Sequence, residues 1–130
     1  GAVRPWQHVL EPLRSYMQLA EYLWARPESA QALNFGPEPG DAQPVSSVIK
    51  LALAAYGRGQ WRAEATVTGP HEAGHLSLDT TRARELLGLR PRWALADGVR
   101  RTMAWYRQHA DGSDARALCM ADLAAYEAAR

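Results

Sequence analysis

The chain has 130 residues, a length that suits one small domain with a single hydrophobic core. Hydrophobic residues make up 47% of it and charged residues 22%, a composition that excludes a disordered or fibrous protein. The formal net charge of +1 gives no reason to expect nucleic acid or an anionic membrane as a partner.

Cysteine content and hydropathy indicate the cellular compartment of the protein. Cys119 is the only cysteine, so an internal disulfide is excluded and a reducing compartment is the natural setting. No apolar run approaches the roughly 20 residues of a membrane-spanning helix. Arg4 and Pro5 interrupt the N-terminal region, which therefore lacks the pattern of a signal peptide. We expect a cytoplasmic protein without a membrane partner.

Apolar residues at helical spacing predict five helices along the chain. Gly57 and Gly88 follow two of them and favour helix ends at those points. Asp79 or Thr80 is a suitable cap for the helix that ends at Leu87. The five predicted segments are 11–24, 46–56, 80–87, 95–109 and 120–129.

Strand signals are weaker. Residues 61–67 alternate with period two, as a half-buried strand does, and 76–79 form another short candidate. Residues 32–36 are a short extended run, and 37–44, rich in proline, glycine and acid, predict a surface loop. The sequence therefore predicts one α+β domain over residues 1–130, mostly helical with two or three short strands.

The segment His71-Glu72-Ala73-Gly74-His75 matches the H-E-x-x-H pattern of zinc proteases. That chemistry needs both histidines one turn apart on a helix. Gly69-Pro70 precedes the segment, Gly74 interrupts it, and strand-like spacing follows. A zinc site is therefore not expected, and no other metal site is predicted.

A second motif is more specific. The run Arg4-Pro5-Trp6-Gln7-His8-Val9-Leu10-Glu11-Pro12-Leu13 resembles a signature of the CDP-glucose 4,6-dehydratases, which belong to the extended short-chain dehydrogenase/reductase superfamily. Further matches keep the same order and cover essentially the whole chain; they include Asn34-Phe35-Gly36-Pro37, Gly69-Pro70-His71-Glu72-Ala73, Ala83-Arg84, Trp93 and Trp105-Tyr106. One departure is Gly74-His75, where the family typically has His-Tyr.

The resemblance implies a substrate-binding role for six residues. It places Arg4 on the diphosphate of the nucleotide, a task that suits the planar guanidinium. Around it, Trp6 either stacks on the nucleotide or belongs to the core, and Gln7 and His8 have polar edges that suit a ligand. For His8 a structural hydrogen bond that orders the loop is the narrowly favoured alternative. The last two residues, His71 and Glu72, are expected at the diphosphate and ribose.

The family's reaction also needs parts that the sequence lacks. It oxidises C4 of the glucose with NAD, eliminates water across C5–C6 and returns the hydride to C6. No glycine-rich turn follows a strand in this chain, and no Tyr-x-x-x-Lys pair occurs. The resemblance therefore implies the C-terminal, CDP-sugar-binding portion of a longer dehydratase without its Rossmann half. We expect it to bind no NAD and to be inactive alone.

Two alternatives remain open from the sequence. One is a non-catalytic interaction module that keeps the fold and self-associates through the surface which the missing Rossmann domain would cover. The other is the same half of a GDP-mannose or dTDP-glucose dehydratase, or of a sugar-nucleotide epimerase. Retained nucleotide binding separates the first alternative from a substrate-binding domain, and nucleotide preference addresses the second.

Overall fold

The computed structural model describes residues 2–62 and 73–129. Over these residues the chain is a mostly helical α+β domain with a two-stranded antiparallel sheet, which confirms the predicted fold class. Its helices and strands in chain order are β1 (Val3–Pro5), α1 (Leu10–Ala25), β2 (Ala42–Pro44), α2 (Val45–Tyr56), α3 (Thr81–Leu87), α4 (Leu95–Ala110) and α5 (Ala115–Ala128). Two short 3-10 turns, Pro27–Ser29 and Pro39–Asp41, lie between α1 and β2.

The sheet joins distant parts of the chain at β1. Strand β1 pairs with β2 in an antiparallel register that sets Arg4 opposite Gln43. On the side of residues 73–76, Val3 forms a parallel bridge with His75, and its N–H donates to the Gly74 carbonyl at 2.9 Å. Because β1 is held from both directions, the turn that follows it starts from a fixed position.

Helix boundaries follow the sequence signals closely. Gly57 and Gly88 end α2 and α3 with φ angles of 83° and 64°, values that glycine adopts without steric cost. Helix α5 begins earlier than predicted, at Ala115, because the Asp114 side chain accepts a hydrogen bond from the N–H of Ala117 at 2.8 Å. The five predicted helices are therefore confirmed, the last with a longer N-terminal part.

The core lies where the start of α1, the connection between α3 and α4, and α5 meet. Its buried apolar side chains are Ala83, Leu89, Trp93, Leu95 and Tyr126. The Trp93 indole meets the Tyr126 ring edge to face, with centroids 5.0 Å apart. On the other side of the domain, α2 packs along α4. None of the described helices is long and apolar enough to cross a membrane.

The strand predictions were less accurate. Residues 76–79 contain no strand, and only the bridge at His75 marks that region. The extended run at 32–36 is also not a strand, whereas β2 occupies the end of the stretch predicted as a loop. Both observed strands have three residues and end in proline, so they are too short to show alternation. The predicted strand at 61–67 lies mostly outside the described residues, and Trp61 and Arg62 are not in a strand.

Candidate functional site

Arg4 lies on β1 and points toward the segment that precedes His75. Its Nη1 donates to the Val3 carbonyl at 2.8 Å and to the Ala73 carbonyl at 3.0 Å. Ala73 follows Glu72 directly in the chain, so this contact joins two parts of the predicted site across 69 positions of sequence. A guanidinium has five N–H donors in a planar fork, a geometry that matches phosphate oxygens.

Trp6 follows β1 and is anchored to β2. Its indole Nε1–H donates to the Gln43 carbonyl at 2.9 Å. The side chain is half-buried, and its only polar group is satisfied by backbone. Trp6 therefore helps to fix the turn, and its aromatic ring offers a surface for stacking rather than for hydrogen bonding.

Gln7 connects the turn to a different segment from the one that Trp6 contacts. Its Nε2 donates to the Phe35 carbonyl at 3.2 Å, which connects the turn to the segment that precedes β2. Gln7 also lines a narrow cleft together with Asn34, Arg84 and Arg90. Asn34 itself is committed to the fold, because its Nδ2 donates to the Asp79 carbonyl at 3.2 Å.

His8 is buried, with 8% of its surface exposed. Its Nδ1 accepts a hydrogen bond from the Leu10 N–H at 3.3 Å, and its ring meets the Trp93 indole edge to face at 4.8 Å. Burial lowers the pKa of His8 from its ordinary value, against the opposing negative charges of Asp122 and Glu11. This environment favours a neutral imidazole with its proton on Nε2, the structural alternative considered from the sequence.

The structure separates the four described site residues into two groups. Trp6, Gln7 and His8 all border a hollow of about 220 Å³ under the turn, whose other walls are mainly apolar side chains of α2 and α4. Arg4 is not among the residues that line it. Such a hollow suits an apolar or aromatic group better than a diphosphate. Of the four described candidates, Arg4 is therefore the residue suited to bind an anion.

Two of the predicted site residues, His71 and Glu72, lie outside the described residues. His75, the second histidine of the H-E-x-x-H pattern, does lie within them. It takes part in the β-bridge with Val3 and is not helical. The one-turn separation of two histidines on a helix is thus not available to His75. In the described part of the chain, no cluster of three or more histidine, cysteine or acidic side chains could hold a metal ion.

Charged residues that were not assigned to the site from the sequence lie beside Gln7. Arg84 pairs with Glu38 at 2.8 Å, and Arg90 lies 4.0 Å from the other carboxylate oxygen of Glu38. Arg84 belongs to one of the motifs quoted above, but arginines are frequent in the chain and its position beside Gln7 depends on the tertiary fold. The cleft thus presents positive charge that is partly neutralised by Glu38.

Glu11 is the other residue that the sequence analysis did not single out. It is part of the quoted signature, yet the structure buries it, with 4% of its surface exposed. The N–H groups of Arg92 and Trp93 donate to its Oε1 at 3.0 and 2.9 Å, and the Tyr126 hydroxyl donates to its Oε2 at 2.7 Å. An acid next to proline at a helix start reads as a solvated first-turn residue, so its burial was not predictable locally.

Comparison with known proteins found a relative that is an enzyme. No family model matches it. It is similar to the CDP-glucose 4,6-dehydratase of Salmonella typhimurium (strain LT2), with 35% identity over 115 residues. The match covers 87% of this chain and 32% of the relative, so the chain spans about a third of that protein's length. The resemblance predicted from the sequence is confirmed.

Proposed function

We propose that this chain, a relative of the CDP-glucose 4,6-dehydratases, is the substrate-binding portion of such an enzyme. The full enzyme would convert CDP-glucose to CDP-4-keto-6-deoxyglucose with bound NAD. The observation that carries the proposal is the similarity to a dehydratase over 87% of the chain. The position of Arg4 adds to it, because a guanidinium oriented by two backbone carbonyls is suited to a diphosphate.

In this proposal the chain positions the substrate and makes no bonds itself. Arg4 would hold the diphosphate, with His71 and Glu72 close to it in the assembled site. Trp6 and Gln7 would shape the adjoining surface, and His8 would stabilise the turn through its contacts with Leu10 and Trp93. Orienting a substrate in this way reduces the entropic cost of reaction, which is a large part of many rate enhancements.

The redox step would belong to a part of the enzyme that this sequence does not supply. NAD would carry the hydride, held by a Rossmann domain with a glycine-rich turn. Because the chain has neither that turn nor a Tyr-x-x-x-Lys pair, we expect the isolated chain, mixed with NAD and CDP-glucose, to form no keto-sugar product.

A second candidate function, an interaction module, is favoured by one specific observation. Several large apolar side chains of α1 are exposed, among them Met17 and Trp24. Exposed apolar patches of this kind commonly mark contacts between proteins. This candidate predicts self-association without nucleotide binding, whereas the substrate-binding domain predicts nucleotide binding whether or not the chain self-associates.

Calorimetric titration with CDP-glucose, UDP-glucose and dTDP-glucose tests the proposal. We expect saturable binding that favours CDP-glucose and weakens at least tenfold in Arg4→Ala, the loss of about one charge-assisted pair. Arg100→Ala is the matched control, because Arg100 is an exposed arginine whose ion pair with Asp97 lies within α4. A preference for another nucleotide would indicate a different sugar-nucleotide enzyme. Absence of binding by a folded chain would favour the interaction module.

A further inference from the structure

Glu11, in the first turn of α1, has a buried carboxylate. Burying an acidic group is costly unless its oxygens are hydrogen-bonded. Here three donors satisfy it: two backbone N–H groups and one hydroxyl at 2.7 Å, a short distance typical of a charge-assisted bond. The Tyr126 hydroxyl is the donor to Oε2, whereas the two N–H groups share Oε1, so deleting the hydroxyl removes the hydrogen bond that this oxygen accepts.

The three donors come from two other parts of the fold. Tyr126 belongs to the last turns of α5, and the N–H groups of Arg92 and Trp93 belong to the connection between α3 and α4. These parts are also joined to each other, because Arg92 Nη1 donates to the Tyr126 carbonyl at 2.8 Å and its guanidinium lies over the Tyr126 ring at 5.2 Å. Glu11 is thus the point where α1, this connection and α5 are fastened together.

The same group of residues holds His8. The Trp93 indole lies in edge-to-face contact with Tyr126 on one side and with His8 on another. From α4, Gly98 approaches so closely that a β-carbon there would lie 3.3 Å from the His8 β-carbon. His8 therefore has little room to move, and the position of Trp93 determines the wall against which its ring rests.

We propose that Glu11 is a positioning residue which, through Tyr126 and Trp93, fixes His8 and with it the turn that follows Arg4. The effect of Glu11 on ligand binding rests on the proposed function, whereas its effect on His8 does not. On this account α5 belongs to the binding unit even though it supplies none of the candidate ligand residues. The connection runs from α5 to Glu11 and Trp93, then to His8, and from there to Gln7, Trp6 and β1.

The test is Tyr126→Phe, which deletes one hydroxyl and keeps the ring against Trp93. The control is Tyr106→Phe, on the exposed side of α4.

The first readout is the nitrogen-15 NMR signature of His8, which reports the ring tautomer and its exchange. We expect a single Nε2–H tautomer in the parent chain and in the control, and mixed or exchanging signals in Tyr126→Phe. The second readout is the Kd for CDP-glucose, expected to rise about threefold to tenfold in Tyr126→Phe alone.

The outcomes separate this inference from the proposed function. If the parent chain binds no nucleotide, the proposed function fails, and the His8 signature alone then decides the inference. If Tyr126→Phe lowers the unfolding midpoint but leaves the His8 signature and the Kd as in the control, Glu11 has only a structural role and the inference is overturned. Should Tyr126→Phe not fold, Glu11→Gln, which keeps one acceptor oxygen, is expected to give the same change at His8.

Discussion

The two faces of α1 differ in an unexpected direction. The face turned toward the core, which we call the inner face, carries Glu11 and Ser15, both buried. The outer face carries Leu13, Met17 and Trp24, of which Met17 is 74% and Trp24 92% exposed. In a typical surface helix the apolar stripe faces the core and the polar side faces water. Helix α1 instead buries Glu11 and Ser15 and exposes Met17 and Trp24.

The difference shows that helical periodicity locates the apolar face of a helix but does not show whether that face packs against the core of the same chain. The inner face is complete within this chain, because the Glu11 carboxylate has its three donors and Ser15 Oγ donates to the Glu11 carbonyl at 2.8 Å. Among the described residues, nothing covers Trp24 to a comparable degree. The outer face is therefore the surface on which the interaction-module candidate depends.

The largest expected effect lies on the inner face. Glu11→Ala would leave the two N–H groups and the Tyr126 hydroxyl without an acceptor in a buried site. We expect a loss of about 3 kcal/mol or more in the free energy of unfolding, measured by urea denaturation. Glu21→Ala, an exposed position on the same helix, should change it by less than about 0.5 kcal/mol. Equal effects at the two positions would remove the distinction between the faces.

The same network predicts an alkaline limit to stability. Burial, followed by the hydrogen bond and negative charge of Glu11, raises the pKa of Tyr126 to about 12 from its ordinary 10.0. The unfolded chain therefore loses this proton first as the pH rises. The contribution of Tyr126 to stability should be complete below pH 10 and fall by about 2 kcal/mol as the pH rises through 12. Compared with the parent, Tyr126→Phe should lack this component of the alkaline loss; identical curves would contradict the assignment.

A smaller effect is expected on the acid side. Because burial lowers the pKa of His8, the unfolded chain takes up a proton before the folded chain does as the pH falls. The contribution is present above pH 6.5, the ordinary histidine value, and is lost as the pH falls through the lowered pKa of His8. Denaturation of His8→Phe should show a weaker dependence in this range than His109→Phe, in which an exposed histidine is replaced. The opposite order would place the titrating group elsewhere.

Much of the fold could be predicted locally. Glycine at helix ends and apolar residues at helical spacing located all five helices, because these signals act within a few residues of chain. The strands were missed since β1 and β2 are three residues long and depend on partners about 40 positions away. Pairing over such a separation leaves no local pattern to detect.

The candidate site was predictable only in part. The signature drew attention to the segment from Arg4 to His8, whose role in binding stays a prediction, and the structural alternative for His8 agrees with its burial. What the sequence could not show was the role of Glu11, whose three donors come from residues 92, 93 and 126. The sequence also could not show that α1 buries Glu11 and exposes Trp24, because hydrophobic periodicity alone assigns the apolar face to the core.

The double variant Met17→Glu/Trp24→Glu should have the smallest effect on stability. It is also the most direct test of whether the outer face mediates self-association. Because both side chains are largely exposed, we expect the free energy of unfolding to change by less than about 0.5 kcal/mol. Sedimentation velocity should show concentration-dependent association of the parent chain and a monomer for the variant, since a buried apolar contact cannot tolerate two charges. The matched control, Glu21→Gln/Glu28→Gln, should associate like the parent. If the parent is monomeric at all concentrations, the self-association that the interaction-module candidate predicts is wrong.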